Sequence, residues 1–148
     1  MARPKSKRRN KSQSKPQRRI LVVDDEKNIR LMLTKALADD QTAVETAVNG
    51  EEALEKIDQS AYDLVLLDLR LPGMDGLDVL HELRERNAKQ AVIVLTAHGT
   101  VESAVEAMQG GAVNFLQKPF APQELREAVA KALGSEGNRE SRGEQTRG

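Results

Sequence analysis

The stretch YDLVLLD, residues 62–68, decides the fold of this chain. Its four apolar residues at 64–67 run directly into the carboxylate of Asp68. An apolar run this short is typical of a strand buried on both faces, as the strands of parallel sheets are. The turn-rich sequence LPGMDG at 71–76 then ends the strand and begins a helix. We therefore expect Asp68 in a loop at the carboxyl edge of a sheet, where open α/β sheets bind ligands.

The same succession of strand and helix recurs along the chain. Apolar runs predict five strands, at residues 20–23, 42–48, 64–67, 91–95 and 113–116. Helix signals follow them, with starts at Asn49, Asp75 or Gly76, Thr100 and Pro122, and a stop at Gly134. Strands joined by helical crossovers run parallel, and the crossovers are right-handed. The sequence therefore predicts an α/β fold, a doubly wound five-stranded parallel sheet built from five strand–helix units.

The charges of the chain are balanced in number but unevenly placed. Residues 1–19 carry nine basic and no acidic residues, residues 20–134 carry 11 basic and 20 acidic residues, and residues 135–148 carry three of each. The first segment has too little apolar surface to offset the entropy of ordering. We therefore expect a disordered basic arm at 1–19, a folded domain at 20–134, and a disordered polar tail or linker at 135–148.

The composition also indicates the cellular compartment in which the protein works. The 148 residues include no cysteine, which excludes disulfides and thiolate metal sites and fits a reducing environment. No apolar run approaches the roughly 18 residues of a membrane span. The basic amino terminus lacks the apolar region of a secretory signal. We expect a cytoplasmic location.

Polar residues stand at the predicted ends of four strands. Asp24 and Asp25 end the first, Asp68 the third and Thr96 the fourth, while Lys118 follows the fifth. Three carboxylates at one edge repel each other, so the site favours a cation, and oxygen ligands favour Mg²⁺. A carboxylate can attack phosphorus and form an aspartyl-phosphate. Lys118 and Thr96 then supply a charge and a hydroxyl for phosphoryl oxygens.

These residues carry a family resemblance. The motifs are VVDDE at 22–26, LLDLRLPGMDG at 66–76, LTAH at 95–98 and KPF at 118–120. In this order and at strand ends, they resemble the receiver domain of bacterial two-component response regulators over about residues 19–134. The stretch at 96–108 is most similar to receivers of the nitrogen-regulator type. Those usually precede an ATPase domain that acts on sigma-54 polymerase, and no such domain follows in this sequence, which favours a single-domain regulator.

The resemblance implies a flavodoxin-like strand order of 2-1-3-4-5 and a role for each carboxylate. Asp68 is implied as the phosphoacceptor, taking the group from a histidine kinase. Asp25, Asp68 and the backbone carbonyl of Arg70 are implied as direct Mg²⁺ ligands, with Asp24 acting through water. The chain is then a signalling switch that assists its own phosphorylation and dephosphorylation, and not an enzyme.

The resemblance also implies how the switch works. Lys118 is expected to pair with phosphoryl oxygens, and its peptide bond to Pro119 is expected to be cis. Thr96 is expected to bond the phosphoryl group and shift. Phe115 then acts as the switch aromatic at a position where many family members carry tyrosine, so its response must rest on packing.

Several alternatives stay open at this point. His98 and the side chain of Arg70 either tune the lifetime of the phosphoryl group or face solvent. The chain could be a pseudo-receiver that never takes phosphate, or the receiver of a longer transcriptional regulator. A phosphatase would need a carboxylate two residues after the nucleophile, where Arg70 stands. The basic arm either solubilises the protein, folds back on the acidic domain, or binds nucleic acid or anionic membrane weakly through charge.

Overall fold

Five parallel strands form one sheet in the computed structural model, which describes the backbone of residues 18–147 and the side chains of residues 18–134. The strands are β1 (Arg18–Val23), β2 (Thr42–Ala47), β3 (Leu64–Leu67), β4 (Val92–Thr96) and β5 (Asn114–Gln117). Their order in the sheet is β2-β1-β3-β4-β5, and every neighbouring pair is parallel. The predicted fold and strand order are confirmed.

A helix follows each strand: α1 (Lys27–Leu37), α2 (Gly50–Gln59), α3 (Gly76–Arg86), α4 (Val101–Gln109) and α5 (Pro122–Arg147). Side chains cap three of them. Oδ1 of Asn49 accepts a hydrogen bond from the N–H of Glu52 at 2.8 Å, and Oδ1 of Asp75 accepts one from the N–H of Leu77 at 2.8 Å. Thr100 and the third residue of α4 form a reciprocal capping box. The predicted helix starts at these positions are confirmed.

Both faces of the sheet are covered by helices. On one face, strand residues such as Leu21 and Val65 pack with α2, α3 and α4. On the other, residues such as Ile20 and Leu66 pack with α1 and α5. Strands buried on both faces leave room for polar side chains only at their ends, and this concentrates chemistry at the edges of the sheet. Across residues 18–147, no helix is long and apolar enough to span a membrane.

The first strand begins two residues earlier than predicted. The sequence analysis places Arg18 and Arg19 in the basic arm, but in the structure they pair with the first two residues of β2. A side-chain contact supports this pairing, since the guanidinium of Arg19 bonds the carboxylate of Glu45. The predicted boundary of the arm is therefore wrong by these two arginines. Residues 1–17 lie outside the described part of the chain.

The last helix continues past its predicted stop at Gly134. Its backbone is helical to Arg147, which differs from the disordered polar tail or linker expected at 135–148. A glycine inside a helix costs only about 1 kcal/mol relative to alanine. No proline follows Pro122 to interrupt the backbone hydrogen bonds. The glycine signal is therefore too weak to end the helix, and Gly148 lies outside the described residues.

Candidate functional site

Two buried aspartates directly follow neighbouring strands. The N–H of Asp24 donates to the carbonyl of Ala47 at 3.1 Å, and the N–H of Asp68 donates to the carbonyl of Val23 at 3.0 Å. These bonds extend the sheet by one residue beyond β1 and β3. Asp24 and Asp68 are only 1% and 5% exposed. The sheet therefore delivers both carboxylates to its carboxyl edge and shields them from most of the solvent.

Asp25 completes a cluster of three carboxylates. It is exposed, and one carboxylate oxygen from each of Asp24, Asp25 and Asp68 lies within 4.8 Å of the other two. Negative charges this close repel each other unless a cation lies among them. The donor atoms are all carboxylate oxygens, which suit a hard ion such as Mg²⁺ better than zinc. The residues present thus fit the predicted metal.

Lys118 brings a positive charge to the cluster. Its Nζ lies 2.8 Å from Oδ2 of Asp24 and 3.3 Å from Oδ2 of Asp68. The backbone fixes the lysine as well, because its N–H donates to the carbonyl of Thr96 at 2.8 Å. The peptide bond between Lys118 and Pro119 is cis, as expected. The structure therefore joins the predicted lysine to both buried aspartates.

Burial and charge shift the pKa values of the two central groups. Burial raises the pKa of Asp68, and the charge of Asp24 adds to it, while the ammonium of Lys118 acts in the opposite direction. Burial alone would lower the pKa of Lys118, but its hydrogen bond to Asp24 and the charge of Asp68 outweigh burial and raise it. The fold therefore raises the proton affinity of Asp68 mainly through burial, and that of Lys118 through its carboxylate neighbours.

Two residues that the sequence analysis did not assign help to hold Asp24. The N–H of Glu26 donates to Oδ1 of Asp24 at 2.9 Å, and Oε1 of Glu26 lies 3.8 Å from Nζ of Lys118. Nη1 of Arg30 donates to the carbonyl of Asp24 at 2.8 Å. Glu26 adjoins the aspartate pair and could have been found from that position, whereas the contact of Arg30 depends on how α1 packs.

The predicted switch residues, Thr96 and Phe115, meet at the loop that follows β4. Thr96 is fully buried at the end of β4, and its Oγ1 accepts a hydrogen bond from the N–H of His98 at 3.2 Å. Phe115 is half-buried, and its ring lies against Gly99, where an added methyl group would come within 2.8 Å of Cζ. Thr96 and Phe115 therefore both contact the loop between β4 and α4, which gives them a common neighbour.

Arg70 and His98 have exposed side chains. The N–H of Arg70 donates to Oδ1 of Asp68 at 3.1 Å, so the backbone of Arg70 orients the carboxylate. The structure gives His98 a backbone role, since its N–H bonds Thr96. The predicted influence of these two side chains on the phosphoryl group stays a prediction.

A glycine lets the loop after β3 close tightly around Asp68. The N–H of Gly76 donates to the carbonyl of Leu69 at 3.0 Å. A Cβ at position 76 would lie 2.4 Å from the carbonyl oxygen of Asp68 and 2.5 Å from Cα of Leu69. Only glycine fits a backbone approach this close. The start of α3 and the position of Asp68 are therefore coupled.

Comparison with known proteins agrees with this geometry. A family model described as the response regulator receiver domain matches residues 20–130. The alginate biosynthesis transcriptional regulatory protein AlgB of Pseudomonas aeruginosa is 43% identical over 120 residues, which cover 81% of this chain and 27% of AlgB. The DNA-binding transcriptional regulator NtrC of Escherichia coli is 42% identical over 111 residues, which cover 75% of this chain and 23% of NtrC. The chain thus spans about a quarter of the length of these two relatives.

Solved structures extend the likeness to the whole fold. The crystal structure of a CheY-like response regulator receiver domain protein from Methanospirillum hungatei matches with a TM-score of 0.79 and 29% identity. The match covers 82% of this chain and 98% of that one. The similarity therefore includes the sheet, the helices around it and the edge that carries the carboxylates.

Proposed function

The chain belongs to the response regulator receiver domain family of two-component signal transduction, and from this premise we propose that Asp68 accepts a phosphoryl group from a histidine kinase. The observation that carries the proposal is the setting of Asp68. It is a buried carboxylate at the carboxyl edge of the sheet, inside a carboxylate cluster and 3.3 Å from the ammonium of Lys118. This setting combines a nucleophile with groups that can hold phosphoryl oxygens.

The transfer needs little beyond positioning and charge neutralisation. A carboxylate oxygen of Asp68 forms a bond to phosphorus while the bond from phosphorus to the donor's histidine nitrogen breaks. The electron pair of the broken bond stays on that nitrogen, which takes up a proton. The ammonium of Lys118 neutralises phosphoryl oxygens as they leave the donor. The N–H of Arg70 keeps the carboxylate oriented throughout.

We assign the metal to the same cluster. Asp24, Asp25, Asp68 and the backbone carbonyl of Arg70 would hold Mg²⁺. When bound, the ion neutralises the carboxylates and the phosphoryl oxygens. The support is the all-oxygen donor set of the three aspartates and their mutual distance below 4.8 Å.

The modification acts as a switch and not as a step in turnover of a separate substrate. A phosphoryl group on Asp68 gives the hydroxyl of Thr96 a new acceptor, and Thr96 moves toward it. That movement changes the space next to Phe115, since both residues contact the loop between β4 and α4. The populations of two arrangements of this face then shift with phosphorylation. Arg70 stands where an aspartate-dependent phosphatase needs its acid–base carboxylate, which supports the switch.

The experiment that tests this function is labelling by a small phosphoryl donor. With Mg²⁺ and acetyl phosphate, the protein should gain one acid-stable, base-labile phosphoryl group, detected by intact mass. Asp68→Asn should abolish the gain. Asp63→Asn is the matched control, because Asp63 precedes the same strand at its opposite end, and it should be labelled like the parent. Labelling that survives in Asp68→Asn would overturn the assignment of Asp68 as the acceptor. No labelling of the parent would favour the pseudo-receiver alternative.

The relatives of this chain indicate the kind of output that the receiver controls. The relatives AlgB and NtrC are named as transcriptional regulators, and this chain matches about a quarter of each. We infer that the receiver controls a regulatory output of similar kind, either in trans or within a longer chain. A phosphotransfer profile against purified histidine kinases identifies the donor. A cytoplasmic location stays a prediction.

For the basic arm we propose weak binding to polyanions. Nine basic and no acidic residues lie in residues 1–19, next to an acidic domain. Binding to heparin or DNA should be independent of base sequence and fall steeply with salt, because counterion release drives it. Because Arg18 begins β1, the deletion that tests the arm is of residues 1–17. The truncated protein should lose retention on heparin and keep labelling at Asp68. If the full-length protein is not retained at low salt, polyanion binding is overturned, and the arm either solubilises the protein or folds back on the acidic domain.

A further inference from the structure

One arginine ties together the carboxyl ends of two helices. Arg84 lies in the last turn of α3. Its Nη1 donates to the carbonyl of Ala88 at 2.6 Å, and its Nη2 donates to the carbonyls of Gln90 and Gly111, the latter at 3.1 Å. Ala88 and Gln90 belong to the loop after α3, whereas Gly111 belongs to the turn after α4. The guanidinium therefore bridges two segments that are more than 20 residues apart in sequence.

The bridge is made to main-chain carbonyls alone. No carboxylate among the described residues pairs with Arg84. Burial therefore lowers the pKa of its guanidinium. The carbonyls of Ala88, Gln90 and Gly111 supply the compensating partial negative charges, and all three lie just beyond the helix ends. Arg84 thus joins the loop after α3 to the turn after α4.

The fit around the guanidinium is close. Gly111 has a φ of 101°, and a Cβ there would lie 2.6 Å from Nε of Arg84. That Nε is buried and has no hydrogen-bond partner. The guanidinium therefore gives up one hydrogen bond and still keeps three to the two loops. These three bonds attach the turn after α4 to the loop after α3.

The rest of α4 is weakly anchored. Ala107 is the one buried residue of this helix, while Val101 is 81% exposed and Val105 is 48% exposed. At its amino end, the capping box with Ser103 is internal to the helix and its loop. The loop just before it meets the ring of Phe115, a side chain that can rotate. The carboxyl end of α4 is thus attached to α3. Its amino end is next to the proposed switch residues Thr96 and Phe115.

We propose that Arg84 is the pivot of α4. This inference rests on the proposed function, since it states where that switch moves the molecule. Phosphorylation changes the contacts of Thr96 and Phe115 at the amino end of α4. The hydrogen bonds of Arg84 hold the carboxyl end. The helix therefore swings about Gly111, and the displacement is largest at Val101, its most exposed apolar residue. Arg84 is a positioning residue and touches no reacting atom.

The first test measures amide hydrogen exchange in the unmodified protein. The N–H groups of Gly110, Gly111 and Ala112 bond carbonyls of α4 and report on its carboxyl end. In Arg84→Met these amides should exchange about tenfold faster, as expected when a net hydrogen bond is lost. Arg84→Lys keeps the charge without the planar fork and should fall between Arg84→Met and the parent. Amides of α2 should not change in either variant, which separates a local effect from general unfolding.

The chain offers a matched control two residues away. Arg86 also lies in the last turn of α3, but it pairs with the side chains of Asp58 and Glu82 on the surface. Arg86→Met should leave exchange at Gly110 to Ala112 as in the parent. Equal exchange in Arg84→Met and the parent at these amides overturns the pivot.

The second test adds beryllofluoride with Mg²⁺, which occupies the place of a phosphoryl group on an aspartate. Within residues 98–112 of the parent, the changes in amide chemical shift should be largest at 98–104 and smallest at 110–112. In Arg84→Met, the amide chemical shifts at 110–112 should also change when beryllofluoride binds. A parent that does not respond overturns the proposed function and the pivot with it. A parent that responds most strongly at 110–112 overturns the pivot alone.

Discussion

Charged side chains gather at both edges of the sheet, and they are paired differently at the two edges. At the carboxyl edge, the carboxylates of Asp24, Asp25 and Asp68 share the ammonium of Lys118, which also lies 3.8 Å from Glu26. At the amino edge, the carboxylates of Glu45 and Asp63 both accept hydrogen bonds from groups of the protein. The first cluster holds more negative charge than the described side chains neutralise, and the second is closed within the fold.

The amino edge is built around Arg19. Its guanidinium bonds Glu45 and lies 5.1 Å from the ring centre of Tyr62, and its N–H donates to Oδ2 of Asp63 at 2.8 Å. The hydroxyl of Tyr62 donates to Oε1 of Glu45 at 2.6 Å. These contacts join β1, β2 and the start of β3. Every partner in these contacts belongs to the described part of the protein.

The two edges shift carboxyl pKa values in opposite directions. The hydrogen bonds from Tyr62 and Arg19 lower the pKa of Glu45. Burial raises the pKa of Asp68. A lowered pKa means that the fold favours the carboxylate, and a raised pKa means that it favours the neutral acid. The edge with unbalanced charge is therefore the one to which we assign the proposed cation and phosphoryl group. Neutralising the carboxylate of Asp68 should therefore stabilise the fold, whereas removing a donor to Glu45 should destabilise it.

Loss of Lys118 should have the largest effect. Lys118→Met leaves two buried carboxylates without their ammonium, and breaking a buried pair on one side typically costs about 3 kcal/mol. The free energy of unfolding, measured with urea, should fall by about that amount. Lys89→Met, at an exposed position, is the control and should have little effect. Adding Asp24→Asn to Lys118→Met should recover part of the loss. Parent-like stability of Lys118→Met would mean that the carboxylates are neutralised in some other way.

Mg²⁺ should stabilise the parent by the next largest amount. A ligand that binds only the folded state raises its stability by about 2.7 kcal/mol at a hundredfold excess over Kd. Asp25→Ala removes the exposed ligand of the cluster and should erase most of this gain in melting experiments. Asp40→Ala, an exposed acid outside the cluster, should keep the gain. A melting midpoint of the parent that ignores Mg²⁺ would contradict the metal site.

Asp68→Asn should stabilise the protein while it removes the phosphoacceptor. At neutral pH the fold holds a carboxylate whose neutral form it prefers, so the variant should unfold with about 1 kcal/mol more free energy. Because the pKa of Asp68 is raised, the contribution of the neutral acid is complete below the usual value of 3.8 and is lost as pH rises through the folded value. Urea unfolding at several pH values should show the variant's advantage growing from acid to neutral. An advantage that does not change with pH would contradict this origin.

How much of this could be predicted depends on what sets each contact. Asp24, Asp68 and Thr96 end apolar runs, and parallel strands bring such ends to one edge, so sequence alone places the three together. Family resemblance then adds their roles. The amino edge depends on the register of β1 against β2, which no local pattern reveals. Charge counting therefore placed Arg19 in the arm, although its neighbours in space are Glu45 and Tyr62.

Other features escape the sequence for related reasons. The three carbonyls bound by Arg84 come from two loops, and only their packing brings them together. The length of α5 depends on the competition between weak glycine penalties and continued helix hydrogen bonding, which Gly134 alone does not decide. Local signals were reliable where a side chain caps its own helix, as at Asn49 and Thr100.

At the amino edge, Tyr62 gives the smallest predicted change in stability, and its absorbance reports directly on its own ionisation. Tyr62→Phe removes one hydrogen bond to Glu45 and should lower the free energy of unfolding by about 1 kcal/mol. The chain has one tyrosine and no tryptophan, so phenolate absorbance in the near ultraviolet reports on Tyr62 alone. Burial and the hydrogen bond to Glu45 raise the pKa of Tyr62 to about 12. The folded protein should therefore titrate near that value, and the protein in denaturant near the ordinary value of 10.0.

The direction of the linked stability change follows from that raised pKa. The contribution of the neutral phenol is complete below the unfolded value of 10.0 and is lost as pH rises through about 12. Glu45→Gln removes the negative charge beside the hydroxyl and should move the folded midpoint down toward 10.0, without changing the denatured one. Asp75→Asn, at the other edge of the sheet, should leave the midpoint in place. A folded protein that already titrates near 10.0 would show that the amino edge is open to solvent, and the contrast between a closed and an unbalanced edge would be lost.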